Sequence, residues 1–358
     1  MGADLELDKE FLWVVNTDEP FVMNSKSLDT ARFSASLRRR GIDLENRRVL
    51  VTNFRGSEQE QDLTIPANCG GFGRIHHFHR SQPHPWPQNP LPIDPAAKAL
   101  KLELSNTLRV QVFQNAICSW RCWYCFVDFE LLSANPKFSE FKTADELLDL
   151  YLAEDDRPQV IDLSGGQPDL VPEWSLWFTR AVARRGLQAS VYLWSDDNLS
   201  NDYLWKYLRH EEVMELVDFR NYGRVGCFKG FDADSFAFNT KAAPQLFENQ
   251  FALMKRLVGA GFDVYGYVTF TTVSESALEE KMADFVNRLQ DINVTFPLRT
   301  IPLRICVFTP TQGRLGLEQE KALDLQERAV VAWNDELRKR FSLSELEKNV
   351  TEHPLICQ

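Results

Sequence analysis

From residue 102 onward, short β-branched or aromatic runs alternate with longer stretches whose apolar residues recur at helical spacing. Six runs read as strands: residues 108–114, 159–164, 189–195, 223–229, 263–269 and 303–309. The stretches between and around them read as helices at 144–153, 174–185, 202–217, 243–260 and 276–289. Strands separated by helix-length segments are how a parallel sheet with crossover helices is written in sequence. Six such units predict an α/β fold, a partial (βα)6 TIM-like barrel. A further amphipathic stretch at 318–340 predicts a long helix packed outside the sheet.

The first hundred residues follow a different pattern. They hold one isolated strand candidate, residues 48–54, and then a polar segment, 55–62. They close on Pro83, Pro85, Pro87, Pro90, Pro92 and Pro95. Fixed backbone angles and missing amides predict neither regular helix nor central strand there, but a stiff linker or surface strap. The expected organisation is an N-terminal extension over 1–100, a barrel over 101–315 and a C-terminal helical segment over 316–358.

Composition narrows the setting. The 51 acidic against 40 basic residues leave a net charge of −11, which disfavours extensive nucleic-acid binding. No run approaches the length of a membrane span, and residues 1–10 lack the basic start and apolar core of a secretory signal. A cytoplasmic protein in a reducing compartment is expected. The cysteine count agrees: seven is odd, and three fall within eight residues, which suits ligation better than paired disulfides.

That cluster is Cys118-Ser-Trp-Arg-Cys122-Trp-Tyr-Cys125, a C-x3-C-x2-C spacing directly after the first barrel strand. Three thiolates can hold three irons of a four-iron cubane and leave one iron open to another ligand. Zinc would need a fourth ligand from elsewhere, with His76, His77 and His79 the candidates. The spacing, with an aromatic residue before the third cysteine, resembles the radical S-adenosylmethionine superfamily. One βα unit later, Ser164-Gly165-Gly166-Gln167-Pro168 resembles that family's G-G-E-P motif, with Gln167 where Glu is usual.

The resemblance spans about residues 108–309 and implies a fold, two cofactors and a reaction. The cofactors are a [4Fe–4S] cluster on Cys118, Cys122 and Cys125, and S-adenosyl-L-methionine chelating the open iron. The reaction is reductive cleavage to a 5′-deoxyadenosyl radical, which abstracts hydrogen from a small-molecule, nucleotide-like or peptide substrate. A reductant such as flavodoxin or ferredoxin is implied, and one cluster per chain, since the C-terminal tail offers only Cys357 for another. Cofactor contacts are expected from Tyr124, Ser164, Gly165, Gly166, Asp197, Asn198 and Lys229. Asp197 and Asn198 also read as ordinary N-cap residues. Lys229-Gly230 resembles a pair in activating enzymes that install a glycyl radical on a partner protein, which stands as an alternative. A non-catalytic iron–sulfur or zinc protein is the alternative of another class.

Thr269, Thr271, Arg304 and Thr309 fall where a substrate could be touched, while Cys227 and the run 265–268 read as packed strand. The stretch from Cys69 to Arg80, with His76, His77 and His79, reads either as a lid reaching substrate or metal, or as a surface loop.

Overall fold

A computed structural model describes residues 30–355. Residues 1–10 and Cys357, both used above, lie outside the described residues. The chain opens with helix α1 (Thr30–Gly41) and strands β1 (Ile42–Asp43), β2 (Arg48–Thr52) and β3 (Gly73–His79), then α2 (Ile93–Leu100) and β4 (Thr107–Phe113). Strand β5 (Ser139–Thr143) and helix α3 (Ala144–Leu152) lead to β6 (Val160–Leu163), α4 (Glu173–Arg184) and β7 (Tyr192–Asp197). Helices α5 (Tyr203–Tyr207) and α6 (His210–Asp218) precede β8 (Tyr222–Phe228). Helices α7 (Ala233–Thr240) and α8 (Phe247–Ala260) precede β9 (Val264–Thr269). The chain continues through α9 (Leu278–Ile292), β10 (Thr300–Leu303), α10 (Thr309–Gln312), α11 (Leu317–Arg340) and α12 (Leu343–Leu346).

Seven strands form one curled sheet in the order β10-β9-β8-β7-β6-β4-β3. Six are parallel, and β3 adds antiparallel on the edge, so the partial (βα)6 barrel expected from the sequence is the fold. A separate three-stranded sheet, β1-β2-β5, lies beside it. Alternation along the strands divides two cores. Outward residues such as Phe113, Leu163, Leu193 and Val268 meet the helices. Inward residues Val110, Val112, Val160, Tyr192, Trp194, Val225, Tyr265 and Tyr267 line the concave face.

The proline-rich segment does not stay on the surface. Leu91 and Ala96 pack into the concave core with Val350, closing the barrel at the N-terminal ends of its strands. Tyr267 Oη donates to Leu91 O (3.1 Å), Arg80 grips Asp94 through Nε and Nη2 (3.0 Å each), and Asn349 Nδ2 donates to Asp94 (2.7 Å). Residues 93–100 are helical where prolines argued against helix. Pro95 sits in the first turn of α2, where backbone amides have no intrahelical acceptor and a missing N–H costs nothing.

Three other expectations shift. The sixth strand is β10 at 300–303, earlier than expected, and it tolerates Pro302 because it is an edge strand. The helix expected at 202–217 is broken at Leu208, whose extended backbone precedes a fresh start at Arg209, where the Arg209 N–H is capped by Glu212. The histidine stretch is neither lid nor loop but β3 itself, with His76, His77 and His79 opposite Val110, Arg109 and Thr107. Among the described residues no helix is long and apolar enough to cross a membrane.

Candidate active site

The cysteine loop starts where β4 ends, at the C-terminal mouth of the barrel, where this architecture gathers its chemistry. Backbone bonds fasten it at both ends: Ala116 N donates to Leu50 O (2.9 Å), Cys118 N to Leu132 O (3.0 Å) and Trp123 N to Asn239 O (3.2 Å). Two guanidiniums hold its carbonyls. Arg121 donates to Cys118 O (2.6 Å) and Trp120 O (2.9 Å), and Arg314 to Cys125 O (2.7 Å) while lying 3.7 Å from the Phe129 ring centroid. Cys118 and Cys122 are buried and Cys125 is partly accessible. Burial pushes the Cys118 thiol up to about 12 and the Cys122 thiol up to about 11, with Lys229 opposing the latter. Nearby cysteines raise each other, as expected of side chains gathered in one place.

The glycine turn after β6 packs directly beneath that loop. Gly165 and Gly166 both adopt positive φ, +73° and +69°, which disfavours any residue with a Cβ. A Cβ on Gly166 would fall 2.0 Å from Asn115 Oδ1 and 2.1 Å from Asn115 O; one on Gly165 would fall 2.6 Å from Gln114 Oε1. Both glycines are therefore required by close approach as well as by backbone angle.

Gln167, left without a side-chain role in the sequence reading, is the strut between the two loops. Its Oε1 accepts from Ser119 N (2.7 Å) and Ser119 Oγ (2.8 Å), and its Nε2 donates to Asp169 (3.0 Å) and Ser200 (2.5 Å). Asn115 adds a reciprocal pair with the Gln167 backbone, 2.7 and 2.8 Å. A glutamate there would lack the N–H that meets Asp169 and would set two carboxylates together in a buried place. The neighbouring Asp169 thus supplies the reason for Gln.

The other expected site residues divide by strand face. Lys229 follows β8 on the concave side; burial works against its charge, but Cys227, Tyr124, Cys122 and Asp196 hold its ammonium above the usual range. Among the described residues it forms no ion pair with a carboxylate, although Asp196 lies near enough to act on it. Thr269 Oγ1 donates to Tyr124 Oη (3.0 Å), which joins the cysteine loop to the end of β9. Asn198 reaches the loop as well, with Nδ2 3.7 Å from Cys118 Sγ. Ser164 Oγ donates to Asp162 (2.8 Å). Asp197 lies on the opposite, helix-packed face, where Arg224 Nη2 holds it at 2.5 Å and Leu199 N donates to it at 2.7 Å. The carboxylate of that run facing inward is Asp196, which the alternation Tyr192, Trp194, Asp196 would have picked out.

Thr271 donates to Asn239 (2.7 Å), which also accepts from Trp123 Nε1 (2.9 Å) and donates to Lys229 O (2.9 Å). This buried asparagine, unmarked by any motif, ties the cysteine loop to β8 and β9. Arg304 lies 5.8 Å from the Trp86 ring centroid, and Thr309 is exposed at the start of α10. Gly230 has a packing role, since a Cβ there would meet Phe236 N at 2.5 Å.

The residues fit both implied groups. Among the described residues no three His, Cys, Asp or Glu side chains converge as the ligands of one metal ion would. A cubane instead spreads its cysteines over separate irons. Gln114 Oε1, buried and without a partner beside Gly165, is an acceptor awaiting a donor such as a ligand ammonium.

No protein-family model and no curated protein sequence matches the chain. Solved structures that resemble it include Streptococcus suis SuiB bound to S-adenosylmethionine, with 17% identity and a TM-score of 0.37 over 51% of this chain and 37% of that one. SuiB bound to precursor peptide SuiA gives 17% and 0.36 over 51% and 36%. SuiB alone gives 16% and 0.44 over 65% and 47%. The chain spans less than half the length of each.

Proposed function

We propose that this protein is a radical S-adenosylmethionine enzyme, with Cys118, Cys122 and Cys125 ligating a [4Fe–4S] cluster. One observation carries the reading: a three-cysteine loop at the barrel mouth is strapped through Gln167 to a double-glycine turn, with the unpaired Gln114 Oε1 between them. S-adenosylmethionine beside a reduced cluster supplies hydrogen-atom abstraction from an otherwise unreactive C–H bond. The chain's own work is to hold and to exclude. Gln114 accepts from the ligand ammonium, Lys229 offers a cation to its carboxylate, and Asn198 and Tyr124 frame the loop. The α2 floor and the aromatic concave core keep water from the reacting centre. The activating-enzyme alternative stands beside this reading, with Gly230 also held by its close approach to Phe236 N.

The test is anaerobic reconstitution with iron and sulfide, reduction, and chromatography for 5′-deoxyadenosine. Formation by the wild type and loss in Cys122→Ala is the expected outcome. A correctly formed cluster that changes redox state but never cleaves S-adenosylmethionine, with or without candidate substrates, would favour an electron-transfer protein.

A further inference from the structure

Below the cysteine loop the concave face carries charge that the reading above does not use. Arg74 on β3 lies opposite Val112 of β4, and Val112 lies opposite Asp162 of β6. Cross-strand partners share a face, and Val112 belongs to the concave core, so Arg74 and Asp162 both point inward. Two strand spacings put their Cα atoms roughly 10 Å apart.

Both are buried, Arg74 to 6% exposure and Asp162 to 1%. Each keeps a polar atom with no partner: Nε of Arg74 and Oδ1 of Asp162. The other Asp162 oxygen is taken by Ser164, and Arg74 Nη1 makes only a 3.5 Å contact with His76 Nδ1. The guanidinium lies 5.1 Å from the ring centroid of Phe126, the residue after Cys125, which brings it near the mouth. A buried guanidinium and a buried carboxyl group thus sit on one face of the sheet, two strands apart, each with a polar atom unpartnered. Left so, both are costly, and natural structures seldom keep such groups unless something binds them.

A ligand that partners both must accept from a guanidinium and donate to a carboxyl group. A neutral polyol would bring no charge to the guanidinium or to the neighbouring carboxyl groups Asp162 and Asp196. A free α-amino acid head satisfies both. Asp196, one strand further on and also inward, adds negative charge on the Asp162 side, and burial raises the acid range of both.

We propose that Arg74 and Asp162 form a recognition site for the ammonium–carboxylate head of an α-amino acid substrate, carboxylate to Arg74 and ammonium to Asp162. This rests on the proposed function only in taking the concave face as the place where substrate lies. It uses other side chains than the Gln114 and Lys229 assigned above to S-adenosylmethionine.

The experiment is calorimetric titration of the full-length reconstituted protein with each free proteinogenic amino acid, in the presence and absence of saturating S-adenosylmethionine. Each binder is repeated as its N-acetyl amide, which removes both charges. At least one free amino acid is expected to bind, and its capped form to bind about a hundredfold less tightly or not at all. Arg74→Gln and Asp162→Asn should each weaken the free amino acid about tenfold to a hundredfold while leaving S-adenosylmethionine affinity within about twofold. Failure of every free amino acid, equal binding of a capped form, or wild-type affinity in both variants overturns the proposal. Should a variant fail to fold, the free-against-capped comparison on the wild type still decides. Amino-acid binding without S-adenosylmethionine binding would sink the cofactor reading and keep this one; the reverse would sink this one alone.

Discussion

The cysteine loop and the concave face beneath it are built on opposite terms. In and around the loop, apart from the indole N–H of Trp120 and Gln114 Oε1, buried polar side chains are spoken for: Gln167 is bonded on both ends, Asn239 on both ends, and Arg121 and Arg314 to carbonyls. On the concave face Arg74 Nε and Asp162 Oδ1 have no partner at all. A completed network fixes a backbone, and an incomplete one is reserved for something that arrives later. Substitutions in the two regions should therefore differ in sign as well as in size.

The sharpest break is Gly166→Ala. A left-handed alanine pressed against Asn115 should cost about 3 to 5 kcal/mol and loosen both loops, seen as a lower melting temperature and poor iron retention after reconstitution. Asn239→Ala comes next, because it leaves the Trp123 indole N–H buried and unpaired; about 2 to 3 kcal/mol should be lost in denaturant melts. Asp162→Asn should run the other way. Burial and Asp196 hold the Asp162 carboxyl well above its usual range, so its contribution to stability is full below about pH 4 and is lost as pH rises. The asparagine variant should match the wild type near pH 4 and exceed it by about 1 kcal/mol at pH 7, since it no longer resists ionisation. A loss of stability at pH 7 would mean that Asp162 belongs to the architecture after all.

How much of this was readable beforehand follows from range. The parallel sheet shows in the sequence because strand and helix periodicities are local, and the three cysteines and two glycines show because they are close neighbours along the chain. The strut function of Gln167 did not, because its meaning depends on Ser119, 48 residues away, and on Asp169 being buried. Asn239 gave no signal for the same reason. Asp196 was within reach: counting alternate residues from Tyr192 would have preferred it to Asp197 as the inward carboxylate. The fate of residues 80–100 was not, because nothing in a proline-rich stretch says whether it lies across a surface or inside a barrel. Edge position likewise decides what Pro302 does to a strand.

The barrel floor has a consequence for how the protein comes into being. Lys98 Nζ donates to Thr351 O (2.8 Å), and Asp94 meets Asn349, contacts 253 and 255 residues apart. A chain emerging from the ribosome has made Cys118, Cys122, Cys125 and every strand of the sheet well before residues 349–351 appear, yet its base stays open until they do. During that interval the three thiols sit above a sheet whose base is still open, so the proposed cluster is expected to be loaded only after synthesis has passed the last of these residues.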